Sequence, residues 1–262
     1  MTEYERCLRI WQSWEHSAPE EIQARLPRYQ MLHAYHSVKL ENPQFSFNCV
    51  ASVWEGAKVS QYTGDLYQLI ALNNHRVAFA LADACLRDKE PLSVELLCGL
   101  QHALSCGLYT PTAYVEHEDR PGELKHSDQV IGLIDVGASP DDIEDMLEQL
   151  VNEMPRVSQL NDPLVSAAYL HARLVFLKPF AVANEMVSRL VLSYWLMLNG
   201  HPPVLIPGEE ATAYRQALEA FDVREDIEPL ALFFSDKIVE YWDSQMSAPS
   251  QPKSKPLFTL RF

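Results

Sequence analysis

Residues 162–200, "DPLVSAAYLHARLVFLKPFAVANEMVSRLVLSYWLMLNG", constrain the fold more than any other stretch. Two apolar runs at helical spacing flank a Lys-Pro-Phe break. Pro179 has no amide hydrogen and restricts the residue before it, so one helix must end near Lys178. Asp162 followed by a proline opens the first run, and Asn-Gly closes the second. A short turn between two such runs folds them back on each other as an antiparallel pair. It also gathers Lys178, Asn184, Glu185 and Arg189 around one helix end.

The rest of the chain obeys the same periodicity. Residues 1–16 are amphipathic, and residues 27–41 predict a helix that ends near Asn42 and Pro43. Residues 64–88 predict a long helix opened by Thr63 or Gly64. Residues 91–107 predict one capped by Ser93 and stopped at Gly107. "SPDDIEDMLEQLVNEM" (139–154) predicts a helix with Ser139 as cap and Pro140 at its first position. Residues 184–200, 209–222 and 227–245 complete the set. The stripe Trp195, Leu196, Leu198 belongs to the core. Residues 108–139, broken by Pro and Gly, predict an irregular segment or hairpin-like flap, and loops of that length are usually functional. The expected fold is all-α with one small hairpin. It divides into an N-terminal helical extension (1–27), a main domain (28–245) and a Pro/Ser/Lys linker with an apolar tip (246–262).

Charge narrows the function. Acidic residues outnumber basic ones, 36 to 21, giving a formal net charge of −15. Such a surface repels phosphate backbones, so nucleic-acid binding is not expected. The N-terminus lacks the apolar core of a signal peptide, and no apolar run is long enough to span a bilayer. Cys7, Cys49, Cys85, Cys98 and Cys106 are odd in number and lack paired spacing. They predict reduced thiols, a cytoplasmic location and no zinc site.

"KPFAVANEMVSR" (178–189) resembles the active-site motif of the Fic (Fido) family, H-P-F-x-[DE]-G-N-G-R-x-x-R. "YHSVKLEN" resembles the family's inhibitory helix, with Ser37, Glu41 and Asn42 in the pattern [ST]-x-x-x-E-[GN]. "EDRPGELKHSDQVIG" resembles the flap that clamps a target segment, with Gly122, Glu123, Leu124 and Lys125 at its centre. The resemblance covers residues 30–243 and implies a Fic-like helical bundle. It also implies AMP transfer from ATP to a protein hydroxyl, with a protein target or partner at the flap.

The motif itself is altered. Lys178 stands where the family has its basic His, Val182 replaces the acid, Ala183 and Glu185 replace two glycines, and Met186 replaces the first Arg. Pro179, Phe180, Asn184 and Arg189 match. A general base must be largely neutral at the working pH, and a lysine with a pKa of about 10.4 is not. A catalytic Lys178 therefore requires burial, while a cationic one would hold a carboxylate or phosphate. Val182 offers no oxygen to Mg²⁺, and Glu185 points elsewhere on the helix. Glu185 suits the helix N-terminus electrostatically but competes there with an incoming phosphate. Arg189 is expected to pair with Glu41.

The nucleotide-binding candidates are therefore Lys178, Asn184, Glu185 and Arg189, with ATP or another nucleotide as ligand and Mg²⁺ disfavoured. Asn184 serves either a nucleotide or a helix cap. His171 reads as a core histidine, and Tyr214 either lines the pocket or packs. His126 and Asp128 pair with Lys125 or with solvent. Three functions stay open. The favoured one is a Fic-fold protein impaired in AMP transfer that acts by binding a nucleotide or a protein. The others are a non-standard transferase, and an inactive partner or self-assembling module that uses the "PLFTLRF" tip.

Overall fold

The computed structural model describes residues 1–57, 59, 62–131 and 134–248. The chain begins with α1 (Glu3–Ser17), α2 (Pro19–Glu41), α3 (Val50–Trp54), α4 (Leu66–Arg87), α5 (Val94–Ser105) and α6 (Pro111–Val115). A two-stranded antiparallel hairpin follows, β1 (Gln129–Ile131) and β2 (Ile134–Val136), in which Gln129 pairs with Val136. Then come α7 (Ile143–Leu160), α8 (Pro163–Leu177), α9 (Asn184–Leu198), α10 (Ala211–Arg224) and α11 (Glu228–Ser247). The expected all-α bundle with one small hairpin is what forms.

α9 is the centre. Every residue from Met186 to Leu196 is buried, as befits a helix apolar on all sides. α2, α4, α5 and α8 surround it, and α7, α10 and α11 cover the outer side of α8. The N-terminal helix shares this core. Trp11 is buried edge-on against Trp242 at 5.0 Å, and Tyr29 stacks on Trp242 at 5.8 Å. Each such ring contributes about 1.5–3 kcal/mol through burial.

Several caps follow the sequence. Ser93 Oγ accepts from Leu96 N, and Asp162 accepts from Leu164 N ahead of Pro163. Others differ for local reasons. α2 starts at Pro19 and runs unbroken through Pro27, so the boundary drawn at residue 27 falls inside one helix. Burial of Tyr29, Gln30 and His33 beyond Pro27 outweighs the lost backbone bond. α4 is capped by Asp65, which accepts from Tyr67 N, rather than by Thr63 or Gly64. Ser139 Oγ accepts from Asp142 N, as a cap would, and donates to Asp142 Oδ2, but this closes a turn ahead of α7, which begins at Ile143. The irregular stretch contains the short helix α6. Leu198 is only partly buried. The apolar tip lies outside the described residues, as does all of the tail beyond residue 248.

Candidate functional site

The turn between α8 and α9 is held from four sides. Lys178 ends α8 in the left-handed region, φ 46°, and Ala183 precedes α9 at φ 68°. Neither is glycine, so each costs about 1–3 kcal/mol that the surroundings must offset. Asn184 supplies one support: its Oδ1 accepts from Phe180 N at 2.9 Å and its Nδ2 donates to Phe180 O at 2.6 Å. Phe180 is fully buried. Lys125 N donates to Pro179 O at 3.0 Å, and Ala138 N donates to Leu177 O at 3.0 Å. Gln101 Nε2 donates to Val182 O at 3.1 Å.

Asn184 is thus not a side-chain cap. Ala183 occupies the cap position, and Asn184 Oδ1 and Nδ2 each make a bond to the turn. Gln101 escaped the sequence reading. It is completely buried, and its Oε1 also accepts from Gly122 N at 2.6 Å, so one side chain ties the flap segment to the loop. A lone glutamine in the apolar run "ELLCGLQHALSCG" was the only signal.

The flap residues divide by environment. Gly122, φ 86°, sits against His102, Glu123 is exposed, and Leu124 packs on the core. All four precede the hairpin rather than lying in it. Lys125 is 2% exposed, and its Nζ has no hydrogen-bond partner. Burial lowers its pKa; the charge of Asp128 opposes this and that of Lys178 reinforces it. His126 N donates to Asp119 Oδ1, away from Lys125.

Arg189 dominates the polar interior. It is 2% exposed, and all its guanidinium nitrogens are engaged. Nε donates to Ser37 Oγ at 2.9 Å. Nη2 donates to Ser37 O at 3.1 Å and to Glu41 Oε1 at 2.8 Å. Nη1 donates to Glu185 Oε2 at 3.3 Å. The expected Glu41–Arg189 pair is present, joined by Ser37 but not by Asn42, whose Oδ1 accepts from Gln44 N beyond the helix end. Burial raises the Glu41 pKa, and Arg189 opposes that rise.

A ring of neutral imidazoles backs this cation. His33 Nε2 lies 3.4 Å from Arg189 O, and His75 lies 6.2 Å from His33, ring to ring. His171 meets Tyr214 Oη at 2.7 Å. Burial pushes His33 well below its usual pKa, His75 to about 4 and His171 to about 3, and the charge of Arg189 adds to each shift. His171 and Tyr214 are therefore core residues.

Glu41, Glu185 and Arg189 converge, and the charge of Lys178 reaches Glu41, but the positions for the metal ligand and the other motif arginine carry no polar group. Val182 carries no oxygen, and Met186 is buried in the core. Mg²⁺ does not fit the position of Val182. Among the described residues, no three His, Cys, Asp or Glu side chains lie together in a way that would hold an ion.

A helix hairpin with a pinned Pro-Phe turn, a β-hairpin at its edge and a helix plugging its arginine define the class as a Fic-like domain. Residues 91–196 match the Fic/DOC family. It is 34% identical over 96 residues to the protein adenylyltransferase Fic of Drosophila persimilis, covering 36% of this chain and 19% of the relative. The Drosophila willistoni protein of the same name is 23% identical over 250 residues, 92% of this chain and 47% of the relative. The chain thus spans less than half the length of these relatives. The fold matches a Fic-domain signaling protein from Bacteroides thetaiotaomicron, with a TM-score of 0.81 at 18% identity over 97% of this chain and all of the other. Fic-1 of C. elegans aligns with a TM-score of 0.75 at 17% identity, covering 93% of this chain and 71% of that one.

Proposed function

We propose that this protein uses the Fic fold to bind rather than to transfer AMP. One observation carries the reading: all three guanidinium nitrogens of the single arginine kept from the motif are already hydrogen-bonded. A phosphate arriving at Arg189 must displace two carboxylates, and no second motif arginine assists, because Met186 stands in its place. Val182 removes the metal ligand, and a half-buried lysine, Lys178, stands in place of the base. The edge formed by the flap segment and the loop is the surface for a protein ligand. Its free cysteines suit a reducing cytoplasm. The test is calorimetry with ATP, with and without Mg²⁺, alongside transfer of label from ATP to the protein itself. The reading expects neither saturable heat nor label, and label incorporation refutes it.

A second reading, a non-standard transferase, draws on Lys125. This buried lysine with a lowered pKa is tied through its backbone to the loop. It requires activity that disappears in Lys125→Met.

A further inference from the structure

Arg189 is held by two carboxylates that belong to different helices. Glu41 reaches it from the last turn of α2, at 2.8 Å. Glu185 reaches it from one turn earlier in α9 itself, at 3.3 Å. The two contacts engage different nitrogens, Nη2 and Nη1. They are independent in structure, and each supplies a carboxylate. We propose that Glu185 is a built-in second lock that excludes anions from Arg189 even when α2 withdraws, so this site has no state open to a polyphosphate.

The argument is one of connectivity. A displacement of α2 removes Glu41 together with both Ser37 contacts, because all three belong to that helix. It cannot remove Glu185, which is four residues from Arg189 on a common rigid helix, where such pairs are neighbours. The guanidinium then keeps one ion pair, and its charge is still matched. An incoming phosphate must break that pair and also face the Glu185 carboxylate, which is 42% exposed at the mouth of the site. The N-terminus of α9 would otherwise attract anions. Glu185 lies in its first turn and answers that partial charge as well. One side chain therefore cancels both attractions.

This inference rests on the reading that the site is closed to nucleotides, and its test must not depend on nucleotide binding. The direct readout is the rate at which phenylglyoxal modifies Arg189, followed by peptide mass spectrometry in the full-length chain. Four proteins are compared: wild type, Glu41→Gly, Glu185→Gly and the double variant. A single charge-assisted hydrogen bond corresponds to roughly tenfold or more in availability. Arg189 should stay protected in both single variants and react at least about tenfold faster in the double variant. Equal acceleration in Glu41→Gly and the double variant overturns the proposal, because Glu41 is then the whole lock. No acceleration in the double variant also overturns it, because burial and Ser37 then suffice. Glu185→Gln, which keeps the side-chain shape, replaces Glu185→Gly if circular dichroism shows a loss of helix. A parallel titration with inorganic pyrophosphate reports on the closed-site reading separately. Pyrophosphate binding by Glu41→Gly as tight as by the double variant overturns the lock, whereas binding by the wild type overturns the closed-site reading.

Discussion

Lowering the pH from about 7.5 to about 5 should remove several kcal/mol of stability through the imidazoles behind Arg189. His75 and His171 are fully buried, with folded pKa values of about 4 and about 3. In the unfolded chain each returns to about 6.5. The unfolded state therefore binds more protons, and stability is full above about 6.5 and falls as the pH drops toward the folded values. At about pH 5 the linkage gives about 2 kcal/mol per histidine, or about 4 for the pair. His33 adds a loss of the same sign. Total stabilities of about 5–15 kcal/mol make this a large fraction. Urea unfolding at the two pH values, followed by circular dichroism, measures it. His171→Asn should shrink the pH-dependent difference by about 2 kcal/mol, whatever it does to absolute stability. Equal unfolding free energies at the two pH values, or a difference untouched by His171→Asn, would refute the reasoning.

Lys125→Met should raise stability by about 1–3 kcal/mol, because it replaces a buried amine without partners by an apolar chain of similar length; thermal unfolding checks the direction. Gly137→Ala should cost about 1–3 kcal/mol, because the residue sits at φ 83° and a Cβ would lie 2.8 Å from Leu177 O. Denaturant midpoints measure that cost. Asn184→Ala should cost about 1–3 kcal/mol by removing the two hydrogen bonds that this side chain makes to the buried Phe180 backbone, and faster amide exchange at Phe180 would show the loosened turn.

The helices were legible because apolar spacing and turn residues act locally. Asp162-Pro163 and Ser93 cap where the sequence places them. Thr63 fails as a cap because nearby Asp65 takes that role, and Ser139 closes a turn one step ahead of the helix it was expected to open. The Glu41–Arg189 pair was legible from the inhibitory pattern. Its extension to Glu185 was not, because a glutamate in a first helical turn reads equally well as dipole compensation. Lys178 drew attention by alignment, yet the lysine with the unusual environment is Lys125, whose burial depends on the fold around residue 179. Gln101 was invisible because two of its three partners, Gly122 and Val182, lie far along the chain.

The most direct test of the account is AMP transfer by the wild type beside a chain with the motif restored. The restored chain carries Lys178→His, Val182→Asp, Ala183→Gly, Glu185→Gly and Met186→Arg, in a Glu41→Gly background. Both are incubated with ATP labelled at the α-phosphate and Mg²⁺, and incorporated label is counted. The account predicts no label in the wild type and a gain in the restored chain, because the frame is intact and only the chemistry has been removed. Label in the wild type at a rate that restoration leaves unchanged would contradict it.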